Sequence, residues 1–453
     1  MAGPAGLLVP LYAAALLVLA WRRRGGEGVD YLLAGRSLTL PAFVATLVTT
    51  WYGGVLGIGE YAWRYGVSTW VVFGLPYYLA AALFALLLAR RLRDTGALSI
   101  PELLARAYGP CAGRTGAAAI LLQTSPAAYV LMLGTLLSTA FGWPLPAAIL
   151  AGTAFSAFYV GLAGFRSVVR TDVLQMVLMY GGFALVVPAA LARVGGFGAL
   201  WSALPATHRS WDGGLGWQTV AVWYLIALQT LVEPAFYQRV FAARNREIAR
   251  TGVLLSIVCW AVFDFLTVTA GLAARVLLPD LADPVAAYPA LAGLVLPPWS
   301  QALFLLGLLA TVMSTLDSYL FLTAATFGHD ILVPGSAADD RRLTRAGLVF
   351  GAGLAAAGAM LFSSVVELWH HVGTVVTSSL LLPVLGIHLP ERIRPPARAV
   401  APAIVAAAAV SVAWIAAARG GRYPLGVEPM FPALAASAVV LAGGARPWRK
   451  RVR

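Results

Sequence analysis

The chain has 453 residues, of which 60% are hydrophobic and 11% charged, with a mean hydropathy of +0.81 and a formal net charge of +13. Water-soluble domains carry about 25% charged residues, so this chain lacks the polar surface to cover a globule in water and belongs in lipid. The arginines sit in short clusters between apolar runs and form no continuous basic face. That excludes nucleic-acid binding as the source of the positive charge and leaves attraction to anionic lipid headgroups.

In chain order, apolar runs fall near 4–21, 40–60, 69–90, 115–138, 143–163, 173–193, 217–237, 250–276, 299–325, 345–363, 366–388, 399–418 and 428–445. Runs of about 18–25 residues let a helix cross a hydrocarbon core of roughly 30 Å with its backbone hydrogen bonds satisfied internally. The spacing predicts an all-α integral membrane protein of about 13 transmembrane helices, in a single transmembrane domain over 1–453 with no room for a separate soluble module. The first run is followed by "WRRRGG", a stop-transfer flank, and no A-x-A-type cleavage site stands out, so it is expected to stay as a helix.

Basic residues recur in alternate gaps between runs: Arg22 to Arg24, Arg90, Arg91 and Arg93, Arg166 and Arg170, and Arg239, Arg244, Arg246 and Arg250. Arg341, Arg342 and Arg345, then Arg392, Arg394 and Arg398, and the tail "RPWRKRVR" continue the pattern. Placing these gaps on the cytoplasmic side puts the N-terminus outside and the C-terminus inside a cell membrane.

Enzyme chemistry finds no footing in the side chains. Cys111 and Cys259 suggest neither a disulfide framework nor a metal cluster. His370 and His371 are adjacent, and consecutive helical residues point about 100° apart, which makes a poor chelate. No nucleophile elbow, P-loop or H-E-x-x-H pattern is present.

The second run reads "LPAFVATLVTTWYGGVLGIGEYAWRYG", with Gly53, Gly54, Gly57 and Gly59 in its middle and far half. Such glycines either let helices pack closely or mark a discontinuous helix whose freed carbonyls replace the hydration shell of an ion. An adjacent glycine pair weakens a helix by roughly 2 kcal/mol relative to alanine. Composition leaves both readings open.

The ninth run, "GLLATVMSTLDSYLFLTAATFGHD", carries Thr311, Ser314 and Thr315 at i, i+3 and i+4, on one helix face. Any single hydroxyl here is expected to bond back to a carbonyl three or four residues earlier. As a cluster, hydroxyls and carbonyls suit a hard cation that takes about five or six oxygens. Asp317 lies on a different face, for packing or a second ion. Asp172 can pair with Arg166 or Arg170 at the cytoplasmic interface. Glu233 reads as an interfacial partner for Arg239, Asp264 as a neutral, hydrogen-bonded or gating carboxyl, and Glu60 with Arg64 as an i, i+4 pair.

Four stretches in order resemble the sodium:solute symporter family: "DYLLAGRSLTLPAFVATLVTTWYGG", "GFRSVVRTDVLQMVLM", "EPAFYQRVFAARNREIAR" and "ATVMSTLDS", within about residues 30–390. The resemblance implies a leucine-transporter-like fold of two inverted five-helix repeats, over about 40–193 and 217–388, with one helix before and two after. It also implies sodium-coupled symport of a small organic solute by alternating access, with sodium as the co-transported ion and no organic cofactor. Carried over by motif position, the sodium ligands are the carbonyls of Thr49, Tyr52 and Thr311 and the hydroxyls of Ser314 and Thr315. Solute contacts fall on Thr50, Trp51, Trp223, Gln229 and Trp260, and Asp172 and Asp264 are ion-path or gating candidates. The chain departs from sugar-transporting relatives in lacking a lysine in the eighth span, where Trp260 stands, and from proline-type relatives in having Trp51 after Thr50 instead of an acid. The seventh span has little glycine, which gives a second helix break no support in composition. A proton-coupled or uncoupled carrier and a non-transporting receptor are the rival expectations, and the oligomeric state is left open.

Overall fold

The computed structural model describes residues 3–21, 29–332, 340–361, 365–419 and 422–444. The Arg22 to Arg24 cluster and the "RPWRKRVR" run lie outside the described residues. Among the described residues eleven helices are long and apolar enough to cross a membrane, and a bent pair makes a twelfth span. In chain order they are Pro4–Trp21, Leu40–Trp51 with Val55–Tyr65, Trp70–Asp94, Pro110–Phe141, Leu145–Leu162 and Phe165–Val194. Trp217–Ala242, Arg246–Leu277, Pro298–Leu332, Arg342–Leu361, Val366–Ile387 and Ala397–Ala416 follow. These are the first twelve apolar runs of the sequence.

The thirteenth run becomes the helix Met430–Gly443, of 14 residues. At about 1.5 Å of rise per residue it reaches about 21 Å, short of the roughly 30 Å hydrocarbon core. Among the described residues the expected count of about thirteen becomes twelve spans and one shorter apolar helix. Hydropathy registers apolar surface, but a 3-10 turn at Pro424–Gly426 and the start after Pro429 shorten what the helix can cover.

The two readings of the second span's glycines turn out to be one. Leu40–Trp51 and Val55–Tyr65 meet at 55° across a break of three residues, Tyr52 to Gly54. At that break a Cβ on Gly53 would fall 2.2 Å from the Thr315 side chain, and one on Gly54 would fall 1.8 Å from the Trp369 ring. The glycines permit the bend and also let other spans press against it.

The seventh span is irregular as well, which corrects the expectation from its low glycine content. Helix Trp217–Ala227 tightens into a 3-10 turn at Leu228–Val232, stops at Glu233 (ψ 114°) and restarts as Pro234–Ala242. Proline is the cause: its ring bars the preceding residue from helical backbone. Glu233 then caps the new helix, its carboxylate accepting from the Ala235 N–H at 3.3 Å. The Glu-Pro pair carried the signal that glycine counting missed.

The ninth span is the hub: 89% of its apolar window is buried, against 22% for the first span at the periphery. Glycines set its depth. A Cβ on Gly307 would lie 2.7 Å from the Leu178 carbonyl of the sixth span, so the two helices touch backbone to backbone. That contact brings the hydroxyl face of the ninth span against the second span's break.

Candidate functional site

The hydroxyls of the ninth span divide their work. The Thr315 hydroxyl crosses to the second span and donates to the Thr50 carbonyl at 2.7 Å and the Thr49 carbonyl at 3.2 Å. Those carbonyls stand at the end of the helix, where the break takes away their usual partners. Ser314 donates to Asp172 Oδ1 of the sixth span at 2.6 Å, and Thr46 donates to the other carboxylate oxygen. Thr311 bonds back to the Gly307 carbonyl at 2.6 Å, as an isolated threonine in a span does. Thr46, Thr49, Asp172, Thr311, Ser314 and Thr315 are all fully buried.

Arg239 completes this junction, and composition had put it among the loop arginines. It is instead fully buried. Its Nη2 donates to Thr50 Oγ1 and Ser318 Oγ, each at 2.7 Å, and to Thr46 Oγ1 at 3.1 Å. It stands 4.0 Å from Asp172 Oδ2, and its Nη1 donates to Gln238 Oε1 at 2.9 Å. The guanidinium also lies 5.0 Å from the centre of the Phe165 ring. A charge removed from water needs both a counter-charge and hydrogen bonds, and Asp172 with three hydroxyls supplies them. The restart at Pro234 is what carries Arg239 inward, since Pro234–Ala242 is buried at every residue. Asp172 therefore faces Arg239, which was not among its expected partners Arg166 and Arg170; Arg166 donates through Nε to Asp30 at 2.9 Å instead. Asp317 turns away from the junction and accepts from Tyr159 of the fifth span. Glu60 and Arg64 pair at 3.0 Å.

On the other side of the break lies a cavity of about 140 Å³. Four of the five solute candidates line it: Trp51, Trp223, Gln229 and Trp260. Thr50 does not, because its hydroxyl belongs to the Arg239 junction. Successive helical residues point about 100° apart, so Thr50 serves the junction and Trp51 the cavity. Trp51 is held edge-on by Tyr77 and Phe236, both with ring centres 5.3 Å away. Tyr52, a carbonyl candidate, sends its side chain to this side, where its hydroxyl donates to Asp264.

Two carboxylates line the same space. Asp264 accepts from the Tyr52 hydroxyl on one oxygen and the Tyr78 hydroxyl on the other. Glu233 accepts from Gln123 Nε2 at 2.7 Å and from the Tyr319 hydroxyl at 3.1 Å. The expected interfacial pairing of Glu233 with Arg239 is not formed among the described residues: the break turns the two side chains apart, Glu233 to the cavity and Arg239 to Asp172. No group of three or more His, Cys, Asp or Glu is placed to hold a metal ion among the described residues. A cation at the junction would be held by hydroxyls, carbonyls and one carboxylate.

Comparison with known proteins places this architecture. The chain is 24% identical over 365 residues to the sodium/pantothenate symporter of Haemophilus influenzae, covering 75% of each chain. It is 23% identical over 335 residues to the high-affinity choline transporter 1 of Caenorhabditis elegans, covering 68% of this chain and 57% of that one. Among solved structures, a sodium-coupled sialic acid symporter in a substrate-bound, outward-open state superposes with a TM-score of 0.79 at 18% identity, covering 97% of this chain and 96% of that one. A nucleobase-cation-symport-1 family transporter in a closed conformation gives 0.59 at 13% identity, covering 93% and 94%. At such identities the likeness shows a fold, that of inverted-repeat membrane transporters. A profile of the sodium:solute symporter family matches residues 31–377. The chain belongs to the sodium:solute symporter family.

Proposed function

We propose that the protein is a secondary active transporter that couples sodium entry to uptake of a small organic solute by alternating access. The observation that carries this is the contact of the Thr315 hydroxyl with the Thr49 and Thr50 carbonyls, one residue from the cavity-lining Trp51. An ion drawing on those oxygens and a solute lying on Trp51 share one broken helix, so each biases the arrangement the other binds. The sodium ligands in this reading are the hydroxyls of Ser314 and Thr315 with the carbonyls of Thr49, Tyr52 and Thr311. Asp172 holds Ser314 in place, and no proton carrier is needed.

The irregular second and seventh spans are each the first helix of a proposed repeat, over about 40–193 and 217–388, as an inverted duplication requires. With the arginine-rich gaps cytoplasmic, the N-terminus lies outside and the cavity lies on the outer side of the junction. Thr46, Arg239 and Phe241 on the inner side are fully buried, while Trp51 and Trp369 are half-buried. This supports an outward-facing arrangement with the inner gate shut. Named relatives handle solutes as unlike as pantothenate and choline, so the solute is not inherited from any one of them.

The test is uptake by the full chain in proteoliposomes, using a radiolabelled solute panel with and without a sodium gradient. Ser314→Ala combined with Thr315→Ala is expected to abolish sodium-stimulated uptake while folded protein is still recovered. Undiminished sodium dependence in that double variant rejects the site. Uptake driven by a pH gradient and indifferent to sodium rejects sodium coupling altogether.

A further inference from the structure

The cavity's chemistry is lopsided. Of its nineteen lining residues, ten are aromatic and two are acidic, and none is Lys, Arg or His. Neither acid has a basic group within 4.0 Å among the described residues, whereas Asp172 a short way off has Arg239. All the groups that meet the Asp264 and Glu233 carboxylates are hydroxyls, an amide or a backbone N–H, each placed to donate. Such partners can fill an ionised carboxylate's lone pairs and bring no positive charge to balance it. No basic residue of the wall stands ready to balance these acids, so a cation that enters the cavity can do so.

Three solute classes can be weighed against that wall. An anion would meet two carboxylates in a low-dielectric space, where repulsion is strong. A polyhydroxylated neutral solute needs many polar partners, but Gln123 is committed to Glu233 and the Tyr52, Tyr78 and Tyr319 hydroxyls to the two acids, which leaves Gln229, Tyr77 and Tyr129. A cation finds four tryptophan rings in the wall, Trp51, Trp223, Trp260 and Trp369, and two acids beside them. At about 140 Å³ the space is also small beside the roughly 300 Å³ at which drug-sized ligand sites begin. We propose that this cavity recognises a small organic cation, a protonated amine or quaternary ammonium group, through its tryptophan faces and the Asp264 and Glu233 carboxylates. This deepens the transport reading and relies on it only for passage across the membrane.

The experiment is equilibrium binding to the full chain in lipid nanodiscs in sodium chloride. The ligands are tetramethylammonium, choline, the neutral choline isostere 3,3-dimethylbutan-1-ol, and pantothenate as the anion. The cations are expected to bind at least tenfold more tightly than the isostere, and pantothenate not to compete. Asp264→Asn and Trp260→Leu should each weaken cation binding tenfold or more. Because either variant could lose binding by misfolding, Gln229→Glu is the control: it adds a third acid to the wall and should tighten cation binding at least threefold. Isostere and cation binding equally, pantothenate binding more tightly, no cation binding to folded protein, or no gain in Gln229→Glu overturns the assignment. Cation binding without sodium-driven uptake would reject the transport reading and spare this one. Sodium-driven uptake of only neutral or anionic solutes would do the reverse.

Discussion

Asp172 and Asp264 are both buried aspartates on long membrane-spanning helices, 0% and 4% exposed, yet their surroundings are opposite. Asp172 sits in a junction that brings its own cation, Arg239, and fills its remaining lone pairs from Ser314 and Thr46. Asp264 faces a cavity and, among the described residues, has tyrosine hydroxyls for its side-chain partners. Where the chain balances a charge internally, it can seal a helix junction against lipid and water. Where it leaves a charge unbalanced beside empty space, the balance has to come from a visitor. A single residue step, from Thr50 to Trp51, separates the two regimes.

The most severe way to break this contrast is to unbalance the balanced side. Arg239→Met should cost about 3–5 kcal/mol of stability, since it leaves Asp172 buried without a counter-charge. Thermal unfolding and folded yield in detergent check this, and adding Asp172→Asn should recover most of the loss. A single variant as stable as the unaltered protein would show that the junction is not held by charge balance. Next in size, Gly53→Ala pushes a methyl group into Thr315, and overpacking of this kind costs about 1–3 kcal/mol. It should also cut sodium-stimulated uptake tenfold or more, because the break can no longer close on the ninth span.

A milder change sharpens the comparison at the ion's own oxygens. Thr315→Val keeps the shape and removes the donor to the Thr49 and Thr50 carbonyls, at about 1–3 kcal/mol for the unmet groups. Its more specific effect is on cation response: replacing sodium with potassium should lower the melting temperature of the unaltered protein and leave that of Thr315→Val unmoved. The smallest effect concerns His208 in the loop after the sixth span, whose burial holds its pKa below the usual 6.5. Its neutral ring meets the Trp63 carbonyl at 2.9 Å. Because the folded-state pKa is lowered, the contribution is complete above about pH 6.5 and declines as pH falls toward the folded value. Unfolding curves between pH 7.5 and 5, on the order of the range in which histidine titrates, should show a slight slope that His208→Gln removes. That background has to be subtracted before any acid effect is assigned to Asp264.

Hydropathy along the sequence was enough to place twelve spans, because crossing lipid demands length and apolarity from each segment on its own. The i, i+3, i+4 hydroxyls of the ninth span and the glycine pair of the second were equally legible, since helical period and backbone freedom are local properties. The partners of the buried charges were not. Arg239 reads in the sequence as one more loop arginine and Glu233 as its neighbour, yet the first pairs with Asp172, 67 positions away, and the second with Gln123, 110 positions away. Those pairings exist only once the Pro234 restart and the packing of the sixth, seventh and ninth spans have turned each side chain. The cost of burying a charge is decided by the atoms that reach it in space, and a local pattern carries no record of them.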